Sequence, residues 1–288
     1  MARNIWSDVS SIAQRVESDA AFIIRETNYI EPTVTVFTDM TGMNLRRGYA
    51  YNSVTVNTIG DDDDLVSQAF TPSADQTLTP FQQGAQYFIT DARAASDLPE
   101  SILNDAAQEL GLGAAAAVMT ELCSEFPNLT GGTIGTTGAT ITWGYVAAAI
   151  SQARNANKSN NKPLSCVLHA YQVAVLAKTA SVSGASNVAY SDTVQTEVFR
   201  QGMRPQFIFM GVPIYQVFQA ANSSTDFVGG VYPKEALAVD WRQKPRIEAE
   251  RDASRRGIEL NLSYIYDTGI WRPLRGVQTI FNMTAPTD

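Results

Sequence analysis

Charge is in short supply in this chain. Charged side chains make up 17% of its 288 residues, against roughly 25% in an ordinary soluble domain. That shortage suits a protein that hides much of its surface in contacts. Basic residues are scarcer still: the formal charge is −8 and the pI about 4.8. No basic field is available to hold nucleic acid by counterion release. No lysine occurs before Lys158.

The two cysteines, Cys123 and Cys166, sit in apolar contexts, so buried free thiols are expected in preference to a disulfide, and no metal-ligand spacing can be assembled from them. His169 is the one histidine, so Ser-His-Asp or Cys-His chemistry would have to use it. Cys166 lies three residues before it, on the opposite face of an extended segment. A structural histidine at a helix start is therefore expected. The longest apolar run, residues 114–119, is far too short to span a bilayer. The first residues lack the apolar core of a signal peptide, so the expectation is a chain made in a cytosol and soluble there. There are no internal repeats.

The length admits one large domain or two smaller ones. Residues 7–26 place Val9, Ile12, Val16, Ala20 and Ile23 at steps of three and four, an amphipathic helix that packs on its own domain or on a neighbour. Residues 34–40 and 49–59 are rich in Val, Thr, Tyr and Phe and flank a polar stretch containing Arg46 and Arg47. They read as a long hairpin, which is marginal alone and needs a partner to lie upon. Asp61, Asp62, Asp63 and Asp64 form a like-charge run without the alternating ligands and turn glycine of a calcium loop. It is a solvated bend or a weak cation site between subunits.

A helix is marked from Ser96 and Asp97, with Pro99 in its opening turn. Leu103, Ala107, Leu110, Ala114, Ala117, Val118 and Leu122 form its stripe, and Phe126-Pro127 stops it. Gly111 and Gly113 interrupt it at about 1 kcal/mol each relative to alanine. They serve either close packing on a sheet or a bend in a long spine. Gly132, Gly135 and Gly138 do not have the dinucleotide spacing, follow a helix and precede no Gly-Lys-Ser/Thr. A flexible linker is expected there, then a helix over residues 143–157. A strand from Pro163 leads through His169-Ala170-Tyr171-Gln172 into a helix to about Ala180, and residues 181–193 are a mobile loop by composition. Strands follow at 207–210 and 212–218 about Gly211, with Pro213 at an edge or strand start, and a last strand at 277–281.

From Arg246 to Asp252 the side chains alternate, with Arg246, Glu248, Glu250 and Asp252 on one face and Ile247, Ala249 and Arg251 on the other. Neither face looks apolar enough for a core. Such a strand is a solvated edge or meets complementary charge on a second molecule, and Arg251, Arg255 and Arg256 beside it point to inter-subunit ion pairs.

Residues 232–276 contain Tyr-Pro-Lys-Glu-Ala-Leu-Ala, Pro-Arg-Ile-Glu-Ala-Glu-Arg-Asp-Ala-Ser-Arg-Arg-Gly-Ile-Glu-Leu, Tyr-Ile-Tyr-Asp and Leu-Arg-Gly-Val. With Met210-Gly211-Val212-Pro213-Ile214 upstream, this stretch resembles the closing third of tailed-bacteriophage major capsid proteins of the Hong Kong 97 type. The strand-His-x-x-Gln-helix arrangement is similar too, with Ala170 where the family usually has proline. The resemblance covers most of the chain from about Thr79.

It implies an α+β Hong Kong 97-like fold with an N-terminal arm (1–32) and an extended loop (33–75) embracing an adjacent subunit. It implies a peripheral domain (76–135 and 232–272) with a spine helix at 97–126, and a central domain (136–231 and 273–288). The implied function is self-assembly into pentamers and hexamers that close an icosahedral shell around double-stranded DNA. No enzyme activity and no cofactor are implied. Partners would be other copies, portal and scaffolding proteins, and a cement or decoration protein. DNA would be enclosed without sequence-specific binding, inside an acidic wall to which it does not stick.

Candidate self-assembly contacts are Arg46, Arg47, Asp61, Asp62, Asp63, Asp64, Glu248, Glu250, Arg251, Arg255 and Arg256, with Gly111 and Gly113 as the spine bend. Some family members join an extended-loop lysine covalently to a neighbour's asparagine. This chain has no lysine there, which implies a shell held non-covalently. The rival readings are a protein nanocompartment with the same fold and, from another class, a nucleotide-dependent enzyme using the Gly132 to Gly138 loop.

Overall fold

The computed structural model describes residues 30–51, 56–61, 64, 67–69, 72–92, 99–158, 162–182, 206–218 and 225–285. The helix expected over residues 7–26, the cap residues Ser96 and Asp97, most of the loop at 181–193, and Asp62 and Asp63 lie outside them.

Two strands dominate the first sheet. β10 (Leu237–Asp252) and β11 (Gly257–Ile270) pair antiparallel along most of their length. The sheet order is β1-β10-β11-β4, with β1 at Thr35–Phe37 and β4 at Phe81–Thr90. A tight turn closes the long hairpin: the Asp252 carboxylate accepts from the Ser254 amide (2.9 Å), the Ser254 hydroxyl (2.6 Å) and the Arg255 amide (3.1 Å). These charge-assisted bonds hold the Asp252 carboxyl below its ordinary range.

Helix α1 (Pro99–Ser124) covers this sheet. Ala107, Leu110, Ala114, Val118 and Leu122, three or four apart, are buried in one core with Val239, Trp241, Ile247, Leu260, Leu262, Tyr264 and Tyr266. This corrects the expectation that neither face of residues 246–252 serves a core. Ile247 is buried and Ala249 packs against the same cluster. The strand itself is poor in apolar residues because the helix supplies them from above.

α1 runs unbroken through Gly111 and Gly113. Gly113 is exposed, and a methyl group there would meet nothing within 4 Å. Gly113→Ala is therefore expected to stabilise the subunit by about 0.5–1 kcal/mol. A higher denaturation midpoint would agree with that, and a lower one would show that the glycine relieves a strain not visible in the subunit.

The second sheet has the order β5-β12-β9-β6-β8-β7. Its strands are β5 (Thr133–Gly135), β6 (Leu164–His169), β7 (Gln206–Phe209), β8 (Val212–Val217), β9 (Asp226–Pro233) and β12 (Val277–Asn282). Helix α2 (Trp143–Asn157) buries Trp143, Val146, Ala149, Ile150 and Ala153 on it. The Trp143 indole donates to the Leu176 carbonyl (3.2 Å) of α3 (Ala170–Val182), so the two helices share that core. Met210 (φ 51°) and Gly211 (φ 76°) make the two-residue turn between β7 and β8, the backbone a tight hairpin requires. β8 lies inside the sheet, so Pro213 has the strand-start role and not the edge role.

Two pairings differ from expectation. Among the described residues β1 does not pair with the segment after Gly48. It pairs parallel with β10, with Thr35 opposite Ala238 and Phe37 opposite Asp240. The hairpin is formed by β2 (Arg46–Tyr51) and β3 (Pro72–Leu78), with Arg46 opposite Leu78. Val34 and Ile30 enter the core of the first sheet and carry β1 with them. The glycine-rich stretch is also not a free linker: β5 pairs parallel with β12, and the Gly138 amide donates to the Asp226 carboxylate (2.8 Å). That carboxylate sits where a phosphate-binding loop would need its amide free.

Candidate assembly surfaces

The root of the β2–β3 hairpin is built on a buried carboxylate. Asp240 accepts from Arg46 Nε (3.0 Å) and Arg242 Nε (3.0 Å), and the side chains of both Asp240 and Arg242 are fully buried. Arg242 Nη2 also donates to the Asn44 carbonyl (2.9 Å). Arg46 bonds Asp39 as well and lies 4.2 Å over the Phe37 ring. The arginine holds the Asp39 carboxyl below its ordinary range. Phe37 meets Trp271 edge to face at 5.1 Å. A Cβ at Gly48 would lie 2.5 Å from the Trp271 ring, so only glycine lets β2 pass this close. Arg46, read as an assembly contact, is thus consumed inside the subunit. Arg47 beside it is exposed.

The other side of the root rests on Asp267, which accepts from the backbone amides of Thr79, at the junction of β3 and β4, and of Thr268. Burial pushes the Asp267 carboxyl up to about 6, with Glu125 and Asp240 adding to the rise and the two amides opposing it. The folded subunit thus holds this proton to about pH 6, while an unfolded aspartate releases it near 3.8. Between those values the folded state binds more protons, so stability falls as pH rises through that window on this group's account. Asp267→Asn is expected to abolish that fall, measured as urea midpoints at about pH 4.5 and 6.5. An unchanged difference between the two midpoints would contradict the assignment.

The far end of the β10–β11 hairpin gathers the expected charges and spends several of them locally. Arg251 holds Asp91 with two bonds (2.9 and 2.8 Å) and keeps its carboxyl below the ordinary range. Arg255 pairs with Glu259 (3.0 Å) and lies 4.2 Å over the Phe88 ring. Arg246 pairs with Glu248 (2.7 Å), both well exposed. Arg251 and Arg255 therefore have intramolecular roles as their primary contacts. Arg256 is exposed with a left-handed backbone (φ 52°). Glu250 is exposed and faces Glu259 across the strand pair, a like-charge opposition. No cation among the described residues pairs with it. Beyond Asp240, where β1 ends, the outer edge of β10 has no strand partner among the described residues. Pro245 and the charges around it are what guard such an edge.

Asp61 and Asp64 are exposed and outside any strand. His169 is buried: its Nδ1 accepts from the Tyr171 amide (3.2 Å), its ring packs on Tyr171 and Phe227, and burial pulls its pKa down. Gln172 is fully buried and donates to the carbonyls of Phe227 (3.2 Å) and Phe281 (2.9 Å), tying α3 to β9 and β12. The His-x-x-Gln pattern thus does structural work. Cys123 and Cys166 are free and buried, and burial pushes both thiols up to about 12. Among the described residues no group of His, Cys, Asp and Glu could hold a metal ion, and no helix is long and apolar enough to cross a membrane.

Sequence reasoning missed Asp39, Asp91, Asp240, Arg242, Asp267 and Trp271. A signal for two of them was present: Asp240 and Arg242 interrupt the apolar run Leu237-Ala238-Val239-Asp240-Trp241-Arg242 on alternate positions.

No protein-family model and no curated protein matches the sequence. Solved structures do. The chain is similar to a structure from Mycobacterium phage Che8 (15% identity, 82% of this chain and 84% of that one, TM-score 0.60). It is similar to the cyanophage Pam1 capsid (11% identity, 89% and 90%, TM-score 0.64). It is also similar to the virus-like particle from Pyrococcus furiosus (11% identity, 93% and 98%, TM-score 0.60). The fold is the α+β fold of tailed-phage capsid proteins of the Hong Kong 97 kind.

Proposed function

We propose that this chain is the major capsid protein of a tailed double-stranded DNA bacteriophage, assembling into pentamers and hexamers that close an icosahedral head. The observation that carries the reading is the agreement of fold with phage capsid structures over more than four-fifths of the chain. The low charge content and the like-charge pair at Glu250 and Glu259 support it, because both fit surfaces completed by other copies. The protein is then structural and its place is the virion. Its partners are further copies, a portal, a scaffold and a cement protein, and its DNA is enclosed without sequence reading. Gly111 and Gly113 give the spine helix the freedom to bend between flat and curved positions of the shell.

The likeness to the virus-like particle from Pyrococcus furiosus, which spans 98% of that chain, supports a closed shell without deciding its contents, and the second reading is a nanocompartment shell of the same fold. Light scattering of the expressed protein tests both readings against a small-oligomer enzyme. Megadalton particles are expected, and a mass of a few subunits would contradict both shells. Nuclease-protected DNA in particles from infected cells separates the head from the compartment.

The shell is held without covalent links, since the first lysine is Lys158 and an arginine guanidinium cannot take an amine's place in an isopeptide. Particles boiled in denaturant should release one band near 31.3 kDa. A ladder of multimers would refute non-covalent stabilisation.

A further inference from the structure

Two hairpins meet at one corner of the first sheet, and each strand of the smaller one is held by a carboxylate of the larger one. Arg46 opens β2 and lies opposite Leu78, the last residue of β3. Asp240 on β10 lies opposite Asp267 on β11. Arg46 Nε donates to Asp240 (3.0 Å), and the amide of Thr79, next after β3, donates to Asp267. Leu78 is buried so close to Gly269 that a Cβ there would lie 2.5 Å from the leucine side chain.

The two holds differ in kind. On the β2 side Asp240 lies between Arg46 and Arg242, and a guanidinium keeps its charge throughout the neutral range. On the β3 side Asp267 pairs with no cation among the described residues and accepts only from the Thr79 and Thr268 amides. The charged groups that face it are acids. Asp240 is directly opposite, a like-charge pairing, and Glu125 stands just beyond α1. Glu125 is itself held above its ordinary range, by burial and by Glu121 one turn earlier, against the Asn128 bond. α1 has no basic residue in its last turn, and its carbonyl end adds negative potential. β4 carries no charged residue, and the one on β3, Asp75, is four residues from Thr79. Arg46 and Arg242 are engaged by Asp240, and Arg46 by Asp39 as well.

We propose that Asp267 is an acid latch: protonated, it keeps the β3 side of the hairpin on the sheet, and ionised, it releases that side while the Arg46–Asp240 side stays held. The latch belongs to the folded subunit and goes beyond the assembly reading. Its sign follows from the raised carboxyl. The closed corner favours the protonated acid, and opening wets the carboxylate and lets it ionise near 3.8. The closed corner is therefore favoured most below that value and loses ground as pH rises through about 6.

Hydrogen exchange of the full chain, kept in one assembly state at about pH 4.5 and about pH 7 and corrected for intrinsic base catalysis, tests this. Residues 78–81 should exchange faster than residues 105–120 of α1 at both pH values and lose about tenfold in protection across the window. Residues 46–48 should keep theirs. Asp267→Asn should remove the pH dependence at 78–81. Glu125→Gln, which leaves Asp267 in place but takes away one facing acid, should move the transition to lower pH. Unchanged protection at 78–81 in the parent would overturn the latch. So would exchange there no faster than in α1, because the corner would then open only when the subunit unfolds. Equal losses at 46–48 would overturn the one-sided hold. An Asp267→Asn variant that still loses protection, or a Glu125→Gln transition at the parent's pH, would place the titrating group elsewhere and overturn the assignment.

Discussion

Asp240→Ala is expected to cost the subunit about 3–5 kcal/mol. The carboxylate lies between Arg46 and Arg242, and the Arg242 side chain is fully buried. Removing the acid leaves a guanidinium without its counter-charge where water does not reach, and that orphaned charge, more than the lost pair, is the source of the cost. Arg46 keeps Asp39, so the penalty falls mainly on Arg242, one of whose nitrogens already lacks an acceptor among the described residues. Replacing both partners with apolar residues of similar size, Asp240→Leu with Arg242→Met, should regain much of the loss. Denaturation midpoints of the two variants decide the matter. A single variant within about 1 kcal/mol of the parent would show that the root is not held electrostatically.

The second large effect is on assembly and not on folding. Glu248 is paired to Arg246 on an exposed face, and Glu250 faces Glu259. Reversing both to lysine costs the subunit little, because an exposed ion pair contributes about 0–1 kcal/mol and Glu250→Lys turns a like-charge opposition into an attractive one. The proposed contacts between neighbouring copies would lose two carboxylates and gain two cations at every repeat. The double variant should melt within a few degrees of the parent yet form no closed particles in sedimentation. Closed particles from a folded double variant would reduce Glu248 and Glu250 to solvated surface.

Local pattern carried some elements well. The apolar spacing from Trp143 and the polar stretch after Asn157 delimit α2 as found, and Met210-Gly211 marks the turn between β7 and β8. Non-local pairing was not legible. The Val- and Thr-rich composition of residues 34–40 reads as a hairpin strand, but its partner is β10, about two hundred residues away, and strand-forming composition says nothing about which strand will be met. Arg46 and Arg251 were legible as charge, yet their partners Asp240 and Asp91 lie 194 and 160 residues away in sequence, whereas Glu259 is only four residues from Arg255. In sequence, a charge buried against a distant acid looks the same as a solvated one. Asp240 and Arg242 contradict the usual exposure of charged residues and become intelligible only when both are seen against Arg46 and Asn44.

The central claim, that this fold builds a shell from copies of itself, is tested most directly by negative-stain electron microscopy of the expressed chain under physiological salt. Closed hollow particles of uniform diameter, with five- and six-fold clusters on their surface, are the predicted result. Monodisperse small oligomers that never close, from protein that is folded by circular dichroism, would contradict it.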